Sequence, residues 1–317
     1  MHVVLLGTAA GGGFPQWNCW CPPCRTARHD PASARPRTQS SAAVSADGER
    51  WFLLNASPDV AVQIGRLSEL VGHVSHPIGH MPEAARRDSE RWSPIHGVVF
   101  TDAELDHTIG VALLRESRHL PVYATGAVAR ILEEDSRLLA VTRAFADVPL
   151  TALHPGREIE LCTRQGQRSG LSVMPFEVPG GPPAFARAEE RGHTVGLLVR
   201  DHDTGGLLAY VPGAGGLDAA LLDRLASADL LLFDGTFWTD DELVALGLSS
   251  RTARQMDHLP VSGADGSLAL LSRLGCRYRV YTHINNTNPM LLEQGPERAM
   301  VNAAGLVVGE DGMRFVL

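Results

Sequence analysis

Thr101-Asp102-Ala103-Glu104-Leu105-Asp106-His107 is the stretch on which the reading of this chain turns. Asp102, Glu104, Asp106 and His107 fall at i, i+2, i+4 and i+5, between an apolar run at 97–101 and a helical pattern that begins at Ile109. In a looped backbone that spacing aims several of them into one cavity. Carboxylates held so close repel each other strongly unless a proton or a cation compensates. A simpler account is a helix cap, because Thr101-x-x-Glu104 matches a capping box and acidic residues suit a helix start. A cap explains Thr101 and Glu104 but gives no reason for Asp106-His107. The segment therefore asks for a metal.

Outward from this segment, short β-branched runs alternate with amphipathic stretches, the pattern of a layered α/β domain. Strands are expected at 2–6, 97–101, 121–124, 171–173, 194–199, 207–211, 230–233 and 279–282, with a hairpin of 40–45 and 50–54 about Asp47-Gly48. Helices are expected at 109–116, 127–141, 217–227 and 266–274, and another opens at Ser57-Pro58-Asp59. Strands gathered in both halves with helices between them predict a single domain over 1–317, an αββα sandwich of two mixed sheets with helices outside. The stretch 73–94 has turn residues, mixed charges and no period, and reads as a long surface loop able to act as a lid.

The chain has 317 residues, 44% hydrophobic and 20% charged, with a formal charge of −8 and no Lys/Arg tract. Nucleic acid is a poor partner for such a surface, since phosphate binding needs concentrated positive charge. Met1-His2-Val3-Val4-Leu5-Leu6-Gly7 lacks the basic start and long apolar core of a signal peptide, and no run reaches the ~18 apolar residues of a membrane span. The expectation is a cytoplasmic protein with no membrane insertion.

Three of the five cysteines stand together as Cys19-x-Cys21-x-x-Cys24. In a large intracellular chain this spacing reads as metal-binding before it reads as a disulfide. A structural Zn2+ held by a loop at about 17–29 is expected, because zinc takes closely spaced thiolates in a tetrahedron. The fourth ligand is open among His29, Cys276 and Asn286. A Cys21–Cys24 redox pair and plain buried thiols are the alternatives. Cys162 and Cys276 read as inert buried thiols. The glycine run from Gly7 to Gly13 follows a strand but departs from G-x-G-x-x-G and leads into Pro15, so it is read as close backbone packing, not a nucleotide site.

The 101–107 segment resembles the metallo-β-lactamase superfamily signature T-H-x-H-x-D-H, with Asp102 and Glu104 where two histidines usually stand and Asp106-His107 retained. With Leu54-Asn55-Ala56-Ser57-Pro58-Asp59, Ser93-Pro94-Ile95, Thr282-His283-Ile284-Asn285-Asn286-Thr287-Asn288-Pro289 and the cysteine cluster, the chain resembles the B-protein family of pyrroloquinoline quinone (PQQ) biosynthesis, PqqB, over nearly its whole length. It departs from the dinuclear hydrolases of the superfamily at two places. Phe176-Glu177-Val178-Pro179-Gly180-Gly181 stands where a ligand His is usual, and Tyr210-Val211-Pro212-Gly213 where a bridging Asp is usual. A single metal is therefore favoured. Oxygen-rich mixed ligands suit Fe2+ or Mn2+ better than Zn2+. Asp106, His107 and His283, with Asp102 or Glu104, are the expected ligands, and His258 is expected beside the metal or the substrate. The resemblance implies PQQ synthesis, by iron-dependent, oxygen-using hydroxylation of the tyrosine ring in a Glu–Tyr precursor. A carrier of PQQ or its precursor toward the periplasm and a metal-dependent hydrolase are the alternatives. Cationic, aromatic walls would suit a carrier of an anionic ligand; a carboxylate cluster suits an enzyme. Self-association as a homodimer is left open.

Overall fold

Side chains of successive strand residues point to opposite faces, and here both faces are apolar. In β1 (His2–Gly7), Val3 and Leu5 pack into one core while Val4 and Leu6 pack into another. A sheet apolar on both sides must be covered on both sides. The computed structural model, which describes residues 1–75, 93–187 and 191–317 (side chains of 69–75 excepted), shows that arrangement as two seven-stranded sheets face to face, with helices over the outer surfaces. Most of the expected loop at 73–94 lies outside the described residues.

The first sheet contains β1, β2 (Ser41–Ser45), β3 (Trp51–Leu54), β4 (Ile95–Val99), β5 (Val122–Thr125) and β6 (Leu150–Leu153). The second runs β7 (Ile159–Cys162), β8 (Arg168–Glu177), β9 (Val195–Asp201), β10 (Leu207–Val211), β11 (Leu230–Asp234), β12 (Tyr278–Thr282) and β13 (Val307–Val308). The chain then returns, and β14 (Arg314–Val316) closes the first sheet against β1. Between the sheets lie Leu5, Phe52, Leu54 and Val99 from one side and Val173, Leu197, Tyr210, Leu232 and Val280 from the other. Each fully buried aliphatic or aromatic side chain there contributes ~1.5–3 kcal/mol.

The polarity of the strands places the chemistry. β3 to β6 are parallel, and so are β10 to β13. Parallel strands need helical crossovers, which leave the loops after their carboxyl ends free to gather polar residues. Asn55 follows β3, Thr101 to His107 follows β4, Asp234 ends β11, and His283 follows β12. Pro212-Gly213 follows β10 without a ligand side chain.

The capping box, the alternative account of Thr101 and Glu104, does not form. Thr101 hydrogen-bonds Asn55 and Asp102, and the helix after it begins later, at Leu105–Thr108, continuing as Gly110–Leu113. Gly110 allows this helix to lie on the Ala56-Ser57 turn, because a Cβ there would sit 2.1 Å from the Ser57 carbonyl oxygen. The helix expected at 127–141 is interrupted: Gly126–Arg130 passes into a wide turn at Ile131–Asp135, and Arg137 takes φ 58° before Leu138–Arg143. The Asp135 carboxylate, tied to Arg130 and Arg187, anchors that break. No expectation covered β6, β7, β13, β14 or the helices Pro22–His29 and Pro296–Ala303, and the structure adds them. No helix among the described residues is long and apolar enough to cross a membrane.

Candidate metal centre

Each side chain at the strand ends has a local reason for its place. Asn55 adopts φ 64° after β3, and its side-chain oxygen accepts from the Thr101 backbone N–H at 3.0 Å, joining the ends of β3 and β4. Ala56 N–H donates to the His107 carbonyl at 2.7 Å, which holds the 105–108 turn against that corner. His283 takes φ 54°, and Asp257, just before His258, takes φ 58°. Non-glycine residues pay for the left-handed region, and such strain concentrates at sites where geometry matters. Three of the four described non-glycine residues with positive φ thus border one centre.

Asp106, His107 and His283 bring one ligand atom each to within 4.8 Å of the others. Ligands of an ion bound at ~2.1 Å stand ~3–4 Å apart, so small side-chain shifts suffice to share one. His107 Nδ1–H faces both oxygens of Asp102 at 2.8 Å, which makes Nε2 the nitrogen left for an ion that displaces its proton; that atom is buried without a hydrogen-bond partner. Thr236 Oγ1 stands 2.5 Å from Asp234 Oδ1 and 2.7 Å from His283 Nδ1. Donating to the carboxylate and accepting from Nδ1–H, it leaves His283 Nε2 facing Asp106 Oδ2 at 3.1 Å. Both imidazoles are thereby set in the tautomer that offers Nε2, the arrangement of supported metal-ligating histidines. Gly11 leaves room beside them, since a Cβ there would lie 3.3 Å from Asp106 Oδ2.

A second trio, Asp234, His258 and His283, shares one histidine with the first. Its groups are already joined by hydrogen bonds: His258 Nδ1–H donates to Asp234 Oδ2 at 2.6 Å, and Thr236 links Asp234 to His283. The His258 ring stacks on His283 with centroids 5.4 Å apart. The first trio holds the orphaned nitrogen and is the better cradle for an ion.

Charges follow the geometry. Burial alone would raise the Asp106 carboxyl, but His107 and His283 hold it well below the usual carboxylate range. Burial alone would lower His107; the charges of Asp102 and Asp106, with the Asp102 hydrogen bond, carry it up to about 9. Glu104 stands at the mouth with its outer face open to solvent. Loss of water on its inner face, then the charges of Asp102 and Asp106, push it up to about 7. A cavity of about 340 Å³ opens here, between Glu104 and Asp106 on one side and the apolar side chains of Pro58, Leu105, Ile109 and Phe185 on the other.

Against the sequence reading, Asp106, His107 and His283 converge, although His283 is 177 positions from Asp106. Asp102, expected among the ligands, instead lies behind His107 with its oxygens engaged by His107, Thr101 and the Glu104 N–H. Glu104 remains outside both trios among the described residues. Asp234 was not singled out. The signal for it is an acid directly after the apolar run Leu230-Leu231-Leu232-Phe233, where a buried strand meets a strand-end loop.

Cys19, Cys21 and Cys24 are buried and likewise bring their sulfurs within 4.8 Å of one another. Asn286 adjoins the cluster: its Nδ2 donates to Cys24 Sγ at 3.3 Å, and its backbone carbonyl oxygen lies 3.4 Å from Cys21 Sγ. His29 is exposed at the end of its helix, and Cys276 donates to the Leu225 carbonyl, so neither completes the cluster. The Cys21 hydrogen bond, then that of Asn286, lower Cys24 to about 5 against the cost of burial, whereas Cys24 and burial push Cys21 up. One thiolate is thus stabilised before any cation is present.

Two facing mixed sheets with acidic and imidazole ligands on the strand-end loops define the β-lactamase superfamily fold, and the profile of the beta-lactamase superfamily domain matches residues 50–284. Within it, the chain belongs to the coenzyme PQQ synthesis protein B family. It is 40% identical to the protein of that name from Gluconacetobacter diazotrophicus, covering 99% of both chains, and 41% identical to that of Methylorubrum extorquens, covering both completely. The crystal structure of Zn(2+)-bound PqqB from Methylobacterium extorquens superposes with a TM-score of 0.85 at 40% identity over the full length of both chains.

Proposed function

We propose that the chain serves PQQ synthesis as an iron-dependent hydroxylase of the tyrosine ring in a Glu–Tyr precursor, and that its cysteine loop holds a structural zinc. One observation carries the catalytic part: two histidines and one carboxylate, Asp106, His107 and His283, converge with a buried His107 Nε2 that has no partner. Two imidazoles and a carboxylate on one face, with positions left open, are the ligand set of non-haem iron oxygenases. The zinc in the relative from Methylobacterium extorquens supports a divalent ion on this fold. Three thiols beside Asn286 fit zinc, which binds as thiolates and contributes folding energy.

Bound there, ferrous iron would supply the one-electron chemistry by which dioxygen is activated. One oxygen atom would enter the ring and the other leave as water, with two electrons and two protons from an external reductant and solvent. The protein's own groups do the rest. Asp102 and Thr236 hold the two imidazoles in their tautomers. Pro58, Leu105, Ile109 and Phe185 offer an apolar wall for an aromatic ring beside Asp106. To His258, hydrogen-bonded to Asp234 and stacked on His283, this reading assigns the uptake of the ring proton.

The test is anaerobic reconstitution with iron(II), then addition of Glu–Tyr, oxygen and reductant, followed by mass spectrometry. The expected product has gained one oxygen atom. Oxygen-independent hydrolysis supported by zinc would make the chain a hydrolase instead. Tight quinone binding that survives loss of Asp106 and His107 would make it a carrier.

A further inference from the structure

A second cavity, of about 240 Å³, lies where β8 ends and β9 begins. We propose that it binds the charged amino and carboxyl termini of an amino acid or short peptide, Arg191 taking the carboxylate and Glu177 the ammonium. The proposal rests on the substrate class argued above and specifies the two charged groups by which that substrate is recognised.

Glu177 is the last residue of β8, paired in register with Val195, and Arg191 precedes β9 on the same end of the hairpin. Both are exposed, both line the cavity, and among the described residues neither is neutralised by an ion pair with the other or with a third group. Opposite charges left apart across one small cavity are complementary to a ligand that carries both charges. The volume is below the ~300–1,000 Å³ of sites that enclose a whole drug-sized ligand, and suits a head group.

The position fits the centre. Val195 N–H donates to the Thr101 carbonyl at 2.9 Å, one residue from Asp102. Gly181 N–H donates to Asp257 Oδ2 at 3.1 Å, one residue from His258, and Thr194 Oγ1 donates to the Gly181 carbonyl at 3.3 Å. Residues next to the cavity's walls are thus bonded to chain neighbours of Asp102 and His258. Gly180 permits this closure, because a Cβ there would lie 2.9 Å from Thr194 Oγ1. Charge favours such a group: Asp102, Glu104, Asp106 and Asp234 make the centre repel a substrate carboxylate, and among the described residues Arg191 is the one permanent cation lining either cavity.

Zinc-loaded protein, which performs no redox chemistry, is titrated calorimetrically with Glu–Tyr, its N-acetyl form and its C-terminal amide. Wild type is expected to lose about tenfold in affinity on either blockage, the size of one charge-assisted contact. Arg191→Gln should bind the acid as weakly as the amide, and Glu177→Gln the free amine as weakly as the acetylated form. Arg191→Gln that still prefers acid over amide by the wild-type ratio overturns the assignment. So does a wild-type protein indifferent to both blockages, or one that binds neither Glu–Tyr nor free tyrosine. Hydroxylation of Glu–Tyr with that indifference would leave the reaction standing without this site. Blockage-sensitive binding without hydroxylation would do the reverse.

Discussion

Two clusters of ligating side chains lie on this fold, and they differ in how far apart in sequence their members are. The cysteine cluster draws its sulfurs from six consecutive positions at the start of one helix, and only Asn286 comes from elsewhere. The carboxylate–histidine centre draws on the ends of three strands, β4, β11 and β12, in both sheets. The first is buried, whereas the second opens into a cavity through Glu104 and Asp106. A closed local cluster suits a structural ion; an open one assembled from distant segments suits chemistry. One turn serves both: His283 reaches the centre and Asn286, three residues on, reaches the cysteines. Asn288 pins that turn by donating to the Gly235 carbonyl at 2.9 Å.

The sharpest way to break this contrast is to damage one cluster and watch both readouts. Asp106→Ala and His107→Ala should lower turnover by more than about 100-fold, the upper range for losing a mere ligand support, with the circular dichroism spectrum and cysteine-bound zinc unchanged. Turnover that persists in both variants would remove the centre from the chemistry. Cys21→Ser should act the other way, lowering zinc content and dropping Tm by roughly 5 °C, as a loss of ~3 kcal/mol does in a chain of this size. Unchanged zinc and Tm would end the structural-zinc reading.

Two smaller effects sharpen the comparison. Asp102→Asn keeps the shape but no longer holds His107 as a negatively charged acceptor; the centre should lose about 10–100-fold in metal affinity while the cysteine site is untouched, as metal titration would show. If Asp102 were instead a ligand, the loss would match that of Asp106→Ala. The smallest effect concerns Glu242, whose carboxylate accepts from the Trp238 N–H and from Thr287 Oγ1 beside Asn286. Burial pushes Glu242 up to about 7. A carboxyl raised in the folded state contributes stability that is fully present below its unfolded value, ~4.5, and is lost as pH rises through about 7. Glu242→Gln should therefore flatten the fall in Tm between about pH 5 and 8, by about 3 °C. An identical slope in the variant would show that Glu242 stays ionised in the fold.

The strands that were legible share a trait. β10 and β11, Leu207–Val211 and Leu230–Asp234, are unbroken apolar runs buried on both faces, and runs of that kind announce themselves. β6 and β7 close the far edges of the two sheets with partly exposed residues, and their pattern is correspondingly weak. The helix after Gly126 looked continuous because Ile131, Leu132 and Leu139 keep an apolar stripe, yet the ties of Asp135 to Arg130 and Arg187 interrupt it. Only a long-range contact carries that information.

What residue order settled was chemistry that is short in range: a run of acids with a histidine that needs a cation, three thiols spaced for one ion, and alternating apolar runs that must stack as two covered sheets. Which acids meet the ion was decided by the fold. Asp102 and Asp106 are equivalent on paper, but the turn at 105–108 sends one behind His107 and the other toward His283. Asp234 joins them only because β11 lies between β10 and β12. The reason is geometric: local spacing limits what neighbouring side chains can do together, whereas strand order and register choose which distant ones become neighbours.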